Sequence, residues 1–328
     1  MINSNKFVPQ LIFLLFSLLV LVGCQSESNS LRSLSLNSNG SRAFYINYLE
    51  DKNTLYTVDL KSETARPTTI STVRNPSEVI AGEGEQFSVI SYQKQNDTNG
   101  KKYSQYFITK HKNASDIQGT EIIKYNSELN SGVEIYNNVY AFKERTDVSG
   151  SARSGSKFFA QGIDFQKKML SNKTYGYRLS VSAVRQSLVF LSGETDAEGK
   201  NIPDVIPIHN NMVGPYFPTI HFSRDLTDFG CDRMGNVCFS ISQYTTSIDS
   251  RYRHKSLFTQ GDLICKPDLP FNWIEFPIIS NDGRVFIFLT TEDGDASPIN
   301  VGRRLLIVVS VDLATCKFIT KKIELKGY

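Results

Sequence analysis

Apolar positions along this chain come in short runs, separated by turns of Gly, Asn, Asp and Ser and by charged loops. From Gly40 to Leu60 the order is a small turn, the apolar run Ala43-Phe44-Tyr45-Ile46, a polar hairpin loop, and a second strand closing on Val58-Asp59-Leu60. It returns near the other end as Asn281-Asp282-Gly283, Val285 to Leu289, a charged loop, Leu305 to Val309, and Val311-Asp312-Leu313. Two copies at opposite ends, with weaker ones between, predict a repeat fold. The central aromatic of each candidate inner strand serves as a marker: Phe44, Phe87, Tyr140, Phe190, Phe239 and Phe286, spaced 43, 53, 50, 49 and 47 residues apart. A four-stranded propeller blade takes roughly 40 to 50 residues. Val189 to Leu191 and Val285 to Leu289 are apolar on both faces. Blades covered on both sides by their neighbours require this, whereas a sandwich strand alternates. The expected fold is therefore all-β, a six-bladed β-propeller of four-stranded antiparallel blades. The rival is a pair of stacked β-sandwiches.

A second marker is an Asp at a strand end followed by an apolar residue, in Val58-Asp59-Leu60, Ile163-Asp164-Phe165, Gly261-Asp262-Leu263 and Val311-Asp312-Leu313. Such an Asp accepts bonds from backbone amides two residues on and fixes the next turn, a structural role. The second and fourth blades lack it, which leaves the count open to seven.

The N-terminus reads as an address. Met1 to Gln10 is short and polar with Lys6, and Leu11 to Val22 is apolar except Ser17. Twelve helical residues reach about 18 Å, too short for a bilayer core of roughly 30 Å, so residues 1–23 are expected to be an export signal. Residues 24–38, rich in Ser and Asn, are expected to form a tether, and 39–328 the propeller. The whole chain carries a net charge of +3 from 36 basic and 33 acidic residues, without the strongly basic face of a nucleic-acid binder.

Two resemblances follow from these residues. Leu21-Val22-Gly23-Cys24 resembles the lipobox of bacterial lipoproteins, which implies a diacylglycerol thioether on Cys24 and cleavage just before it. Gln25 after the Cys, where that family's inner-membrane members carry Asp, implies the outer membrane. Several acyl chains, at about 0.8 kcal/mol per buried CH₂, would anchor the chain stably. The elements at Asn39 to Leu60 and Asn281 to Leu313 resemble the WD40-like repeats of the TolB propeller and its relatives. Lipid-anchored propellers of outer-membrane assembly machinery are the nearer functional analogy, one of architecture alone.

Beyond Cys24, four cysteines remain, as disulfides in an exported protein would leave. Cys231 and Cys238 flank a hairpin and are expected to pair. Cys265 and Cys316, each shortly after an Asp-Leu mark, are read as like positions on neighbouring blades, which could exceed the roughly 7 Å Cα limit for a bond.

The hairpin loops after the marked strands are long and charged, and by topology they emerge on one face. Glu50, Asp51, Glu144, Arg153, Glu194, Asp196, Glu292, Asp293 and Asp295 are the candidate contacts of a docking surface there. The groups Glu194-Asp196-Glu198 and Glu292-Asp293-Asp295 offer oxygen ligands but match no full calcium-loop pattern. The four His are scattered, and there is no Gly-x-Ser-x-Gly elbow or phosphate-binding Gly-rich loop. The expectation is a binding scaffold for other envelope proteins, held to the membrane by acyl chains, with no resident cofactor and no nucleic acid. The alternative is a glycan-binding or glycan-hydrolysing propeller, for which a carboxylate pair at the channel would be needed.

Overall fold

The computed structural model describes residues 30–325 apart from 50–51, 69–73, 97, 99, 101, 128, 137, 147–154, 172–180, 185–186, 196, 198–200, 208–225, 246–251, 261–262, 268, 270, 272–273 and 292–303. The described strands form six antiparallel sheets, each from one contiguous stretch of chain. The first holds β1 (Ser30–Leu36), β2 (Arg42–Leu49), β3 (Lys52–Asp59) and β4 (Thr64–Pro67), so residues 30–36, expected in the tether, belong instead to the propeller, and the tether stops short of Ser30. The second holds β5 (Asn75–Ala81), β6 (Phe87–Asn96), β7 (Lys102–His111) and β8 (Thr120–Tyr125). In the third are β9 (Leu129–Tyr136), β10 (Val139–Thr146), β11 (Gly155–Gly162) and β12 (Lys168–Met169). The fourth shows three strands, β13 (Val181–Val184), β14 (Ser187–Thr195) and β15 (Asn201–Pro207), and the stretch after it lies outside the described residues. The fifth holds β16 (Leu226–Cys231), β17 (Val237–Thr245), β18 (Tyr252–Gln260) and β19 (Leu263–Cys265). The sixth holds β20 (Glu275–Ile279), β21 (Val285–Thr291), β22 (Arg304–Asp312) and β23 (Lys317–Glu324).

The first strand of each sheet touches the first strand of the next, in the order β1, β5, β9, β13, β16, β20 and back to β1. These strands form a closed ring around an axis, and each sheet runs outward from it: four-stranded antiparallel blades in a propeller arrangement. The stacked-sandwich rival does not close in this way.

Packing between blades supplies the core. Ala43, Tyr45 and Val58 of the first sheet bury against Ile287, Leu289 and Leu306 of the sixth. Phe239 and Phe258 of the fifth meet Phe286 and Phe288 of the sixth, with Phe258 edge-on to Phe286 at 5.2 Å between ring centroids. On the other side of the first sheet, Phe44 and Ile46 meet Val79, Phe87 and Val89 of the second. Large apolar side chains buried on both faces of the sixth sheet are what the doubly apolar run Val285 to Leu289 predicted.

The marker aromatics prove not to be equivalent. The ladders pair Leu36 with Ala43, Cys231 with Cys238 and Ile279 with Phe286, so Phe286 corresponds to Ala43 rather than to Phe44. Phe44 and Phe239 face the following sheet, while Phe87, Tyr140 and Phe286 face the preceding one. A strand's side-chain period is two, so a one-residue error in alignment moves a residue to the other face.

The turns between the first two strands repeat more faithfully. In the first, fifth and sixth sheets a glycine three residues into the turn donates its N–H back to Asn37, Asp232 or Ser280, and these accept further amides through their side chains. Gly40, Gly235 and Gly283 all hold φ near +70°, the left-handed region that glycine reaches at least cost. The turns after β3 and β22 are also copies. Asp59 accepts from the Lys61 and Ser62 amides, Asp312 from the Ala314 amide and the Thr315 hydroxyl. Four residues beyond, Glu63 and Cys316 take φ of 56° and 50°. Asp164 lies in the turn after Gly162 instead of at the strand end, and Asp262 is outside the described residues.

Candidate functional site

The alternating strand directions give the ring two faces. The turns at 37–41, 82–86, 232–236 and 280–284 share one of them, called the turn face below. The ends of the β2–β3 and β6–β7 hairpins and the connections between sheets lie on the opposite face.

Hydroxyl side chains join the inner strands of the first two sheets. Ser33 Oγ accepts the Val79 amide at 3.0 Å, Ser35 Oγ accepts that of Ala81 at 2.8 Å, and Ser38 Oγ that of Gly84 at 2.8 Å. Asn37 Nδ2 donates to the Gly84 carbonyl at 3.1 Å. These bonds satisfy edge amides that a free inner strand would leave unpaired.

The next seam is charged. Lys110 Nζ donates to Glu134 Oε1 at 3.0 Å and to Asn138 Oδ1 at 2.7 Å, and the Glu134 side chain is only 7% exposed. Glu78 Oε1 accepts the Gly132 amide across the same seam at 2.9 Å. Nearby, Lys143 is fully buried in β10. Burial lowers its pKa to about 8, and the Glu78 charge opposes that shift. Tyr140 and Ser88 share a buried hydroxyl pair at 2.7 Å, and burial pushes the Tyr140 phenol well above its ordinary value.

Arg233, in the turn between β16 and β17, spans the end of the channel on the turn face. Its guanidinium meets Glu83 of the second sheet at 3.0 Å and donates to the Ile135 carbonyl of the third at 3.3 Å, while its amide donates to the Asn281 carbonyl of the sixth. The side chain thus ties two blades to the fifth, and the backbone amide of the same residue ties a third. Glu83 is 72% exposed, so the ion pair adds little stability, and its geometric effect is to occupy that channel end.

The docking residues expected from sequence are placed as follows. Glu144 accepts a hydrogen bond from Lys167 Nζ at 2.6 Å, and that ammonium also lies 4.1 Å from the Phe159 ring centroid and 4.3 Å from that of Tyr125. Burial pulls the Lys167 pKa down, but the bonds to Glu144 and Tyr125 outweigh it and the net shift is upward. Glu144 thereby holds Lys167 of its own blade where the ammonium meets Tyr125 of the second. Glu50, Asp51, Arg153, Asp196, Glu292, Asp293 and Asp295 lie outside the described residues, as does Cys24, and the Glu194 side chain does too. Among the described residues, no group of three or more His, Cys, Asp or Glu could hold a metal ion, and no helix is long and apolar enough to cross a membrane. Sequence reasoning missed Lys143, although it ends the apolar run Val139 to Phe142. Arg233 carried no signal beyond its place in the Cys231–Cys238 hairpin.

Both cysteine pairs are bonded. Cys231 and Cys238 face each other across the β16–β17 ladder with Cα atoms 4.0 Å apart. Cys265 and Cys316 have Cα atoms 5.4 Å apart because their positions are unlike. Cys265 lies within the outer strand β19, whereas Cys316 sits in the turn before β23. The bond staples the fifth blade to the sixth.

The architecture defines the class: a β-propeller. No family model matches this chain, and no curated protein matches it. Similar solved structures include the Pyrococcus horikoshii acylaminoacyl peptidase, with TM-score 0.50 and 8% identity over 91% of this chain and 45% of that one. Oligogalacturonate lyase from Vibrio parahaemolyticus gives TM-score 0.49 and 9% identity over 86% of this chain and 77% of that one. TolB from Acinetobacter baumannii gives 0.38 and 12% over 91% and 55%. This chain thus spans about half the length of the TolB and peptidase chains. At such identities the likeness is one of fold alone.

Proposed function

We propose that this chain is a lipid-anchored propeller of the bacterial outer membrane, with six blades, that serves as a docking scaffold for other envelope proteins. The observation that carries the scaffold reading is the ring itself. Six inner strands close on one another, hydroxyl and carboxylate contacts stitch the first three of them, and Arg233 reaches across the end of the channel on the turn face. Groups that would otherwise be free to act on a small molecule at that end are engaged in holding blades together, while the broad faces remain to meet a macromolecule. The two disulfides and the Leu21-Val22-Gly23-Cys24 sequence favour export and acylation. Metabolic labelling with a fatty acid, followed by crosslinking and capture from membranes, tests the proposal. The expected result is label and membrane association that vanish in Cys24→Ala, with envelope proteins crosslinked to the wild type. Label retained in Cys24→Ala would overturn the anchor, and a purified chain that turns over an envelope glycan would overturn the scaffold.

A further inference from the structure

We infer that the acylated protein stands with the face opposite its turns against the lipid headgroups of the anchoring bilayer, presenting the turn face to the aqueous space. This rests on the anchor at Cys24. Chain length and the place of β1 set the orientation. Ser30 opens β1 and pairs with Tyr48, beside the β2–β3 hairpin end where Leu49 pairs with Lys52. The tether therefore enters on the face opposite the turns. Because β1 belongs to the inner ring, it enters close to the axis rather than at the rim.

Six peptide steps separate Cys24 from Ser30, and a fully extended chain covers about 20–22 Å over them. To bring the turn face to the bilayer, the tether would first have to cross the blade from β1 to β4. That is three strand spacings, about 14 Å. It would then run down the side of the blade for the length of β1, seven residues or about 23 Å. The path of about 37 Å exceeds the reach of the tether. Standing on the opposite face requires no such detour. Reach thus keeps the turn face off the bilayer, and the entry of β1 near the axis, three strand spacings from the rim, sets the face of the hairpin ends against it rather than the edge. A protein partner meets the turn face, where Arg233 reaches Glu83 across the ring and the neighbouring Met234 is exposed.

The test uses the full acylated chain in vesicles of phosphatidylethanolamine and phosphatidylglycerol that carry a headgroup-attached quencher. A fluorophore is placed by Asn96→Cys or by Ser115→Cys, both exposed and at opposite ends of the second blade. Quenching is expected to be several-fold stronger at residue 96. Inserting about twenty Gly and Ser residues after Ser28 raises the maximal reach to roughly 90 Å and is expected to erase the difference. Equal quenching on the native tether, as from a molecule lying on its edge, would overturn the orientation. So would stronger quenching at residue 115, or a difference that survives the insertion. Failure of the anchor reading is separate and visible: Cys24→Ala would then remain bound to the vesicles.

Discussion

Gly40 measures the strength of the closing seam. At φ +68° an alanine in its place bears a backbone cost of about 1 kcal/mol. Its Cβ would also lie 2.6 Å from Val285 Cγ2 and 2.7 Å from Val285 Cβ, across the boundary between the first sheet and the sixth. Real Cβ atoms do not approach so closely, so the blades must part locally, an overpacking cost of about 1–3 kcal/mol. Gly84 is the built-in control, with φ +61° and nothing within 4 Å of the added Cβ. Gly84→Ala is expected to lose only the backbone part, while Gly40→Ala loses about 2–4 kcal/mol in all. Urea unfolding of the two variants beside the parent, read at equal slope, gives the difference as a shift in midpoint. Gly283, whose added Cβ meets Val237 Cβ at 2.9 Å across the boundary between the sixth sheet and the fifth, is expected to behave like Gly40. If Gly40→Ala and Gly84→Ala unfold at the same midpoint, the turn glycines are present for backbone shape alone. The reasoning about seam contact would then be wrong.

Two further outcomes follow from buried chemistry and from covalent links. Lys143 has a folded pKa of about 8 against an unfolded value of 10.5, so between these values the unfolded chain binds more protons and stability rises with pH. Denaturant titrations at pH 7 to 9.5 are expected to show that rise, and Lys143→Met to flatten it; an equal slope in both proteins would refute the assignment. Cys265–Cys316 closes 51 residues of chain and Cys231–Cys238 closes 7. Chain entropy then assigns losses of about 4 and about 2 kcal/mol to their paired Cys→Ala variants. Comparable losses from the two pairs, measured by unfolding, would refute the entropic account.

The repeat was legible because it is written in backbone chemistry. The Asn37–Gly40 and Ser280–Gly283 turns and the Asp59 and Asp312 caps need particular residue types at fixed offsets. The aromatic markers were less faithful, since packing asks only for bulk on either face of a doubly covered strand. Phe44 and Phe286 each satisfy that demand from opposite sides. The Cys231–Cys238 bond could be read from one hairpin, whereas Cys265–Cys316 depends on how two blades sit side by side, which no local pattern encodes. The same holds for Arg233, whose partners Glu83 and Ile135 lie far from it in sequence. Glu144 shows the converse. Its charge in a hairpin suggested a docking contact, and its bond to Lys167 of the same blade was not visible in the local pattern.

Because each sheet is a contiguous stretch of chain, the first blade and the last share no backbone ladder among the described residues. Ala43, Tyr45 and Val58 are covered only when Ile287, Leu289 and Leu306 arrive, at the far end of the polypeptide. A chain made from its N-terminus onward therefore carries a greasy, uncovered flank on its earliest blade until nearly the whole length has emerged. Ring closure is the last step of maturation and the slowest to be rewarded. During that interval the open flank is free to stick to another copy of the chain.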